Sequence, residues 1–450
     1  MTRRISGNFA FHSQSRFFAI PIAVLQLLVV ATATAWEIDD GDWHGPTIKG
    51  DTGGAASSYS GAGSFHAATQ DVFFDFDSAT GVGEHVYTVA QRDAIVAGVS
   101  AIYAPWDFTF SHTVVPVGAF ATLLFNAGPP GGLASDVDFR NLDLGGSASI
   151  DVNPILGFPA PAPSVVGLST TISAHELGHL VGLRHADSLG PIGFGLSPTG
   201  PSPLAYLPDY PGPLAAFETT GHTMASPASV GQTIAEAIAG SYMGERSAVK
   251  LEFNHVGTVS PEVGVAHDMP ATAQPLTLPT YPVPNTAVPG DLVFGMSLFA
   301  DAEVVTGSII APFETDMYSF SGVAGDIINA EAISLVPARF GVTDIDSLIE
   351  LFMPDGVTPV VQGGGVAVND DEFESFDSTL IDVVLPVTGT YFVRVGATPF
   401  VPFDTGDYEL YLYRFRALAV PEPAALSLLM LGAVLAAGST RRARLSSLKG

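Results

Sequence analysis

The stretch Ser173-Ala174-His175-Glu176-Leu177-Gly178-His179-Leu180-Val181-Gly182-Leu183-Arg184-His185 decides how the rest of this 450-residue chain is read. On a helix, His175 and His179 stand four positions apart and project from one face. Two neutral imidazoles placed so can meet one zinc ion, at about 2.0–2.1 Å each. Glu176 lies near the same open coordination position, where a carboxylate can take a proton from water. Gly182 lets the chain turn sharply away from the helix, and His185 can then return as a third ligand. Three protein ligands leave one position open, the pattern of a catalytic site. By multiplication of residue frequencies, these residues at these offsets arise by chance in about 1 in 10,000 chains or fewer. Coincidence is therefore a poor account. The readings that compete are separately satisfied histidines and a metal site without activity.

The same stretch resembles the metzincin signature, with matrixins the nearest branch. That resemblance implies a two-lobed metalloendopeptidase with zinc in its cleft and a peptide substrate bound against an edge strand. By position in the motif, His175, His179 and His185 match the metal ligands, Glu176 the general base and Gly182 the turn. Metzincins also carry a methionine turn beneath the metal. Gly221-His222-Thr223-Met224-Ala225-Ser226-Pro227 is the best match, which makes Met224 its methionine. A thioether suits that place because it fills an irregular floor without binding the metal. Ser226 stands where some branches carry a tyrosine, and the interval from His185 to Met224 is long for a matrixin. Asp187 is a candidate for orienting the ligand loop from behind, and His222 for a turn or supporting position. Ala148–Asn153 is a candidate substrate-binding edge strand; an ordinary core strand is the alternative.

Composition narrows the setting. The formal charge is -28, yet residues 1–35 and 424–450 hold seven basic residues and no acidic one. The segment 36–423 therefore carries 10 basic and 45 acidic residues, a charge of -35. Such a field repels phosphates, so nucleic acid is not an expected partner. With Cys 0, disulfides, thiolate ligands and cysteine nucleophiles are excluded.

The two ends describe a route. Arg3, Arg4 and Arg16 precede an apolar run at Phe17–Val30 and the small-residue pattern Ala33-Thr34-Ala35, so 1–35 reads as a signal peptide for Sec-type export. At the other end, Val420-Pro421-Glu422-Pro423, the apolar Ala424–Gly438 and the basic cluster Arg441, Arg442 and Arg444 resemble the PEP-CTERM sorting signal, here 420–450. The resemblance implies transient inner-membrane anchoring in a Gram-negative-type bacterium. It also implies removal of the tail by an exosortase and delivery to the cell surface or an exopolysaccharide matrix. A permanent C-terminal anchor is the plainer reading.

Between the ends, 36–69 reads as a flexible leader or propeptide. Residues 70–255 read as an α+β metzincin-like catalytic domain, with strands at Val72–Asp77, Phe108–Phe110, Ala121–Phe125 and Ala148–Val152. A helix is expected over Thr88–Tyr103, with Ile95, Val96, Val99, Ile102 and Tyr103 on its buried face, and another over Val230–Met243. The Pro-, Thr- and Val-rich 256–298 reads as a linker. Short strands and turns in 299–416 predict an all-β sandwich, jelly-roll-like. Fragments such as Thr315–Phe320, Thr388–Val395 and Gly406–Leu410 resemble the bacterial pre-peptidase C-terminal domain. In that region Asp346, Asp370, Asp371, Glu372 and Asp377 are candidate calcium ligands, against a solvated acidic loop.

Overall fold

A computed structural model of the chain describes residues 69–77, 80–198, 206–217, 219–264, 266–284, 298–334, 345–372, 377–402 and 404–416. The expected signal peptide, nearly all of the leader and the C-terminal sorting signal lie outside these residues. The described residues all belong to one compact unit, Glu37–Gly450.

The first half is a mixed sheet with helices. Strand β1 (Gln70–Asp75) alternates buried and half-buried positions, sending Val72 and Phe74 inward. It lies between β2 (Phe108–Ser111) and β3 (Ala121–Phe125), both parallel to it. Beyond β3 come β5 (Ser147–Asp151), parallel, and β4 (Gly131–Ala134), antiparallel, so the order is β2-β1-β3-β5-β4. The expected edge strand is thus misplaced: β5, which holds most of Ala148–Asn153, is interior, and β4 forms the edge. The sequence of β4, GGLA, has too little β-branched or aromatic character to announce a strand.

Helix α1 (Val89–Ile102) starts at a capping box in which Thr88 and Gln91 satisfy each other's backbone N–H. Its inward residues are Ile95 and Val99, followed by Tyr103; Val96 and Ile102 are only partly covered. The Tyr103 hydroxyl donates to the Ala174 carbonyl at 2.7 Å and so fastens α1 to α2 (Ala162–Leu180). The helix expected over Val230–Met243 is instead two short pieces, Pro227–Val230 and Ile234–Ala239, ended at Gly231 and Gly240. A longer helix follows as α3 (Glu245–Val256). It reads as polar, and is buried because its charges are matched.

The second half contains two sheets that share one apolar core. One runs β15 (Val368–Asn369), β12 (Ser347–Phe352), β17 (Gly389–Ala397), β10 (Thr315–Gly322), β7 (Gln274–Pro275). The other runs β16 (Ser378–Val384), β11 (Ile327–Ile333), β18 (Gly406–Phe415), β9 (Leu298–Ile309), β6 (Val259–Pro261), with β8 (Thr280–Val283) also pairing with β9. A small ribbon of β13 (Val361–Gln362) and β14 (Gly365–Val366) completes the strands. Tyr318, Ile349, Val393 and Val395 from one sheet meet Val305, Ile328, Leu380 and Leu410 from the other.

The stretch expected as a linker is part of these sheets. It supplies β6, β7 and β8, and it buries Leu276, Leu278, Tyr281 and Val283. Proline is tolerated there because β6 and β7 are terminal strands of their sheets, where a missing N–H need not break a ladder. The composition that reads as an extended spacer is equally the composition of proline-bearing edge strands.

Buried charges join the halves. Arg140 pairs with Glu409, Arg184 with Glu372 and Asp377, Arg246 with Asp382, and Lys250 with Asp187 and Glu331. The long interval between His185 and Met224 adds Leu189, Leu196 and Tyr206, packed with Ile381 of β16. Burial of so many charges is tolerable only because each is matched by an opposite one and by hydrogen bonds.

Candidate metal centre

Helix α2 delivers His175 and His179 from the second half of its 19 residues. The His175 Nδ1–H donates to the Thr223 carbonyl and the His179 Nδ1–H to the Leu183 carbonyl, both at 2.9 Å. Each ring's proton is thereby committed, and its Nε2 lone pair is left facing inward. His185 brings its own Nε2 to the same point, 2.9 Å from that of His175, and the His179 and His175 Nε2 atoms are 3.1 Å apart. Lone pairs this close repel one another unless a cation lies among them. Burial drives the His179 pKa down to about 3, with His185 adding to the effect, and drives His175 well below its ordinary value, aided by both neighbours. Neutral imidazole is the form that binds a metal. The three histidines therefore fit a metal ion, and their ligand atoms lie within 4.8 Å of one another.

The turn that returns His185 depends on Gly182. Its φ is 91°, and a Cβ there would collide with the backbone of Asp138 and Phe139. Gly182 N–H donates to the His179 carbonyl and Leu183 N–H to the Gly178 carbonyl, both at 2.8 Å, which closes the helix end. Gly182→Ala is expected to destabilise the protein by at least about 1–3 kcal/mol from backbone strain alone. Urea unfolding checks this, and an unchanged midpoint would show that the turn is not held as described.

Met224 is fully buried, with its sulfur against Gly178 where a side chain on the helix would otherwise sit. Its neighbour Thr223 supplies the carbonyl that orients His175, so the 221–227 turn both packs against the ligand helix and fixes a ligand. Ser226 caps the following helical turn, accepting from Ser229 N–H at 2.9 Å. Glu176 is fully buried one position from the first ligand. A Cβ at Gly132 of β4 would collide with its carboxyl group, so the edge strand approaches Glu176 with bare backbone.

Asp187, expected to orient the loop, accepts from Arg184 N–H at 2.8 Å and pairs with Lys250 at 2.9 Å. His222 donates from Nδ1 to the Ser188 carbonyl at 2.7 Å, at the far end of the same turn, and is not brought to the three ligands. Sequence reasoning missed Thr223 and Leu183, which act through carbonyls that every residue owns. It also missed Gly132, Arg184 and Lys250; a charge directly after the apolar run Leu180–Leu183 was the signal for Arg184, and Lys250, on a helix that reads as polar, gave none.

The candidate calcium residues are divided. Glu372 and Asp377 are engaged by Arg184, whereas Asp346, Asp370 and Asp371 crowd together with Asp404. Among the described residues, these carboxylates are not one of the groups whose ligand atoms gather within 4.8 Å. Burial raises the Asp346 pKa to about 7, with Asp371, Asp370 and Asp404 adding to it.

The other such group is Glu262, His267 and Asp316. His267 Nδ1 accepts from Met317 N–H at 3.2 Å, so its proton sits on Nε2 and points at Glu262 Oε1, 3.0 Å away. That is a hydrogen-bonded knot rather than a presented lone pair. Burial lifts the Asp316 pKa to about 6; the Tyr408 hydroxyl opposes this, and Glu262 adds to it. For Asp316 and Asp346 the folded pKa lies above the unfolded value of 3.8. Their contribution to stability is thus full below about pH 4 and is lost as pH rises through about 6 and 7. Asp346→Asn is expected to flatten the upper part of that decline in unfolding measurements between pH 4 and 8.

No protein-family model matches the chain, and no curated protein matches it. Among solved structures, Aeromonas hydrophila PliG, a periplasmic lysozyme inhibitor of g-type lysozyme, is 16% identical over 25% of this chain and 85% of its own, with a TM-score of 0.19. The pre-peptidase C-terminal domain of collagenase from Bacillus anthracis is 16% identical over 24% of this chain and 86% of its own, with a TM-score of 0.15. Likenesses of this degree settle neither fold nor function.

Proposed function

We propose that this chain is an exported zinc-dependent metalloendopeptidase, with a metzincin-like catalytic half and a β-sandwich of the pre-peptidase C-terminal kind. The observation that carries the reading is the convergence of three imidazole Nε2 atoms next to a buried glutamate that abuts a sheet edge. His175, His179 and His185 would hold the ion. When bound, zinc polarises a scissile carbonyl and makes water more acidic.

The chain's own residues supply the rest. Glu176 receives a proton from the attacking water and passes it to the leaving amine. The outer edge of β4 has no strand partner among the described residues, and an extended peptide can pair with its backbone groups. Gly132 sets that edge directly against Glu176, so a peptide paired there passes the base. Thr223 and Leu183 hold two ligands in the tautomer that the metal requires. Export and surface delivery rest on the terminal segments; among the described residues no helix is long and apolar enough to cross a membrane.

A second reading, a surface or matrix protein with a metal site and no activity, is favoured by one observation. His175 and Glu176 are 0% exposed and His185 2%. The deciding experiment incubates purified protein with a diverse protein mixture, after chelation and after zinc is restored, and maps new termini by mass spectrometry. Zinc-dependent new termini support the peptidase. A protein that retains one equivalent of metal and yields none supports the second reading.

A further inference from the structure

Two charged residues beside His185 are tied to the second half of the molecule, Arg184 directly and Asp187 through Lys250 of α3. Arg184, immediately before the ligand, reaches Glu372 at 3.0 Å and also pairs with Asp377. Asp187, two residues after the ligand, is held by Lys250 at 2.9 Å, and the same ammonium group reaches Glu331 of β11 at 2.8 Å. All six residues in these contacts are buried, with side-chain exposures of 1–10%. Ala186, inside the turn, packs in one cluster with Ile381 of β16. By contrast His175 and His179 sit on α2, and their Nδ1 partners both belong to the first half.

We propose that the β half is a working part of the metal centre, with Glu331, Glu372 and Asp377 as positioning residues that set the third ligand. The inference rests on the reading of the three histidines as a metal centre. Two ligands are fixed by a helix; the third is on a short turn, held by Glu372 and Asp377 of the connection between β15 and β16 and, through Lys250, by Glu331 of β11. Supporting groups behind metal ligands commonly change affinity by about 10- to 100-fold when removed. The coupling is reciprocal: if the sheets improve metal binding, metal binding must tighten the sheets' hold by the same factor.

The test uses the whole purified protein with Co²⁺ as the probe. Affinity is read by chelator competition and ligand geometry by the visible d–d bands. Glu372→Gln combined with Asp377→Asn is expected to weaken Co²⁺ binding at least tenfold and to alter those bands. Asp382→Asn breaks a different buried pair across the seam, that with Arg246, and is expected to leave affinity within about twofold. A folded double variant with unchanged affinity and bands overturns the proposal, as does an equal loss in Asp382→Asn. Should the double variant not fold, hydrogen exchange on the unaltered protein serves. Stripping the metal is expected to loosen residues 327–333 and 378–384 along with 175–188, and unchanged protection in the two strands overturns the proposal. Failure of the unaltered protein to bind Co²⁺ at all would instead remove the metal centre itself.

Discussion

Glu176→Gln is expected to lower the rate of peptide hydrolysis by about 10²–10⁴-fold while leaving the metal content unchanged. The glutamine keeps nearly the same size in a fully buried position beside Gly132, so the three ligands and the edge strand have no reason to move. What disappears is the capacity to accept a proton. The separation of the two readouts is the point. Loss of activity together with loss of metal would mean that the residue holds the site up, whereas retention of most activity would assign the base elsewhere. Initial rates on a protein substrate and metal content by mass spectrometry decide between these outcomes.

Lys250→Ala is expected to cost about 3–5 kcal/mol of stability, the usual consequence of removing one partner from a buried ionic group. Lys250 is 1% exposed and lies between Asp187 and Glu331. Burial alone would depress its pKa, but the two carboxylates raise it further than burial lowers it. Without the ammonium group, two buried negative charges face one another. The sign of the pH dependence follows: the deficit should shrink as pH falls, because protonation of either carboxylate relieves the repulsion. Burial already raises the Glu331 pKa. Urea unfolding at pH 7 and pH 5 checks both parts. A deficit below about 1 kcal/mol at neutral pH would mean that the three groups are solvated, as at an ordinary surface pair.

Legibility in the sequence followed the physics of each signal. The five residues from His175 to His185 that bear chemistry or require a special backbone angle could be read because they combine fixed spacing with rare side chains. Helix α1 was legible from its three- and four-residue spacing, and β1 and β3 from alternation. Strand β4 was not, since GGLA has no β-branched or aromatic residue to announce a strand, and its Gly132 lies bare against Glu176. Helix α3 was missed because Arg246 and Lys250 read as surface charges until the acids that match them, 81 to 136 residues further along the chain, are brought alongside. The calcium candidates show the same effect in reverse: in sequence they read as one run of acids, whereas in the fold Arg184, nearly 190 residues away, pairs with two of them.

The proline-rich passage between the halves has a practical consequence for how the protein could mature or be cut. Scission of the backbone between residues 256 and 283 would not liberate a free peptidase and a free accessory module. Cut beyond β6, the N-terminal fragment would keep one or more strands of the C-terminal fragment's sheets, and the matched charges across the seam would remain in place. A nicked molecule should therefore travel through size-exclusion chromatography as a single species, and separate only in denaturant.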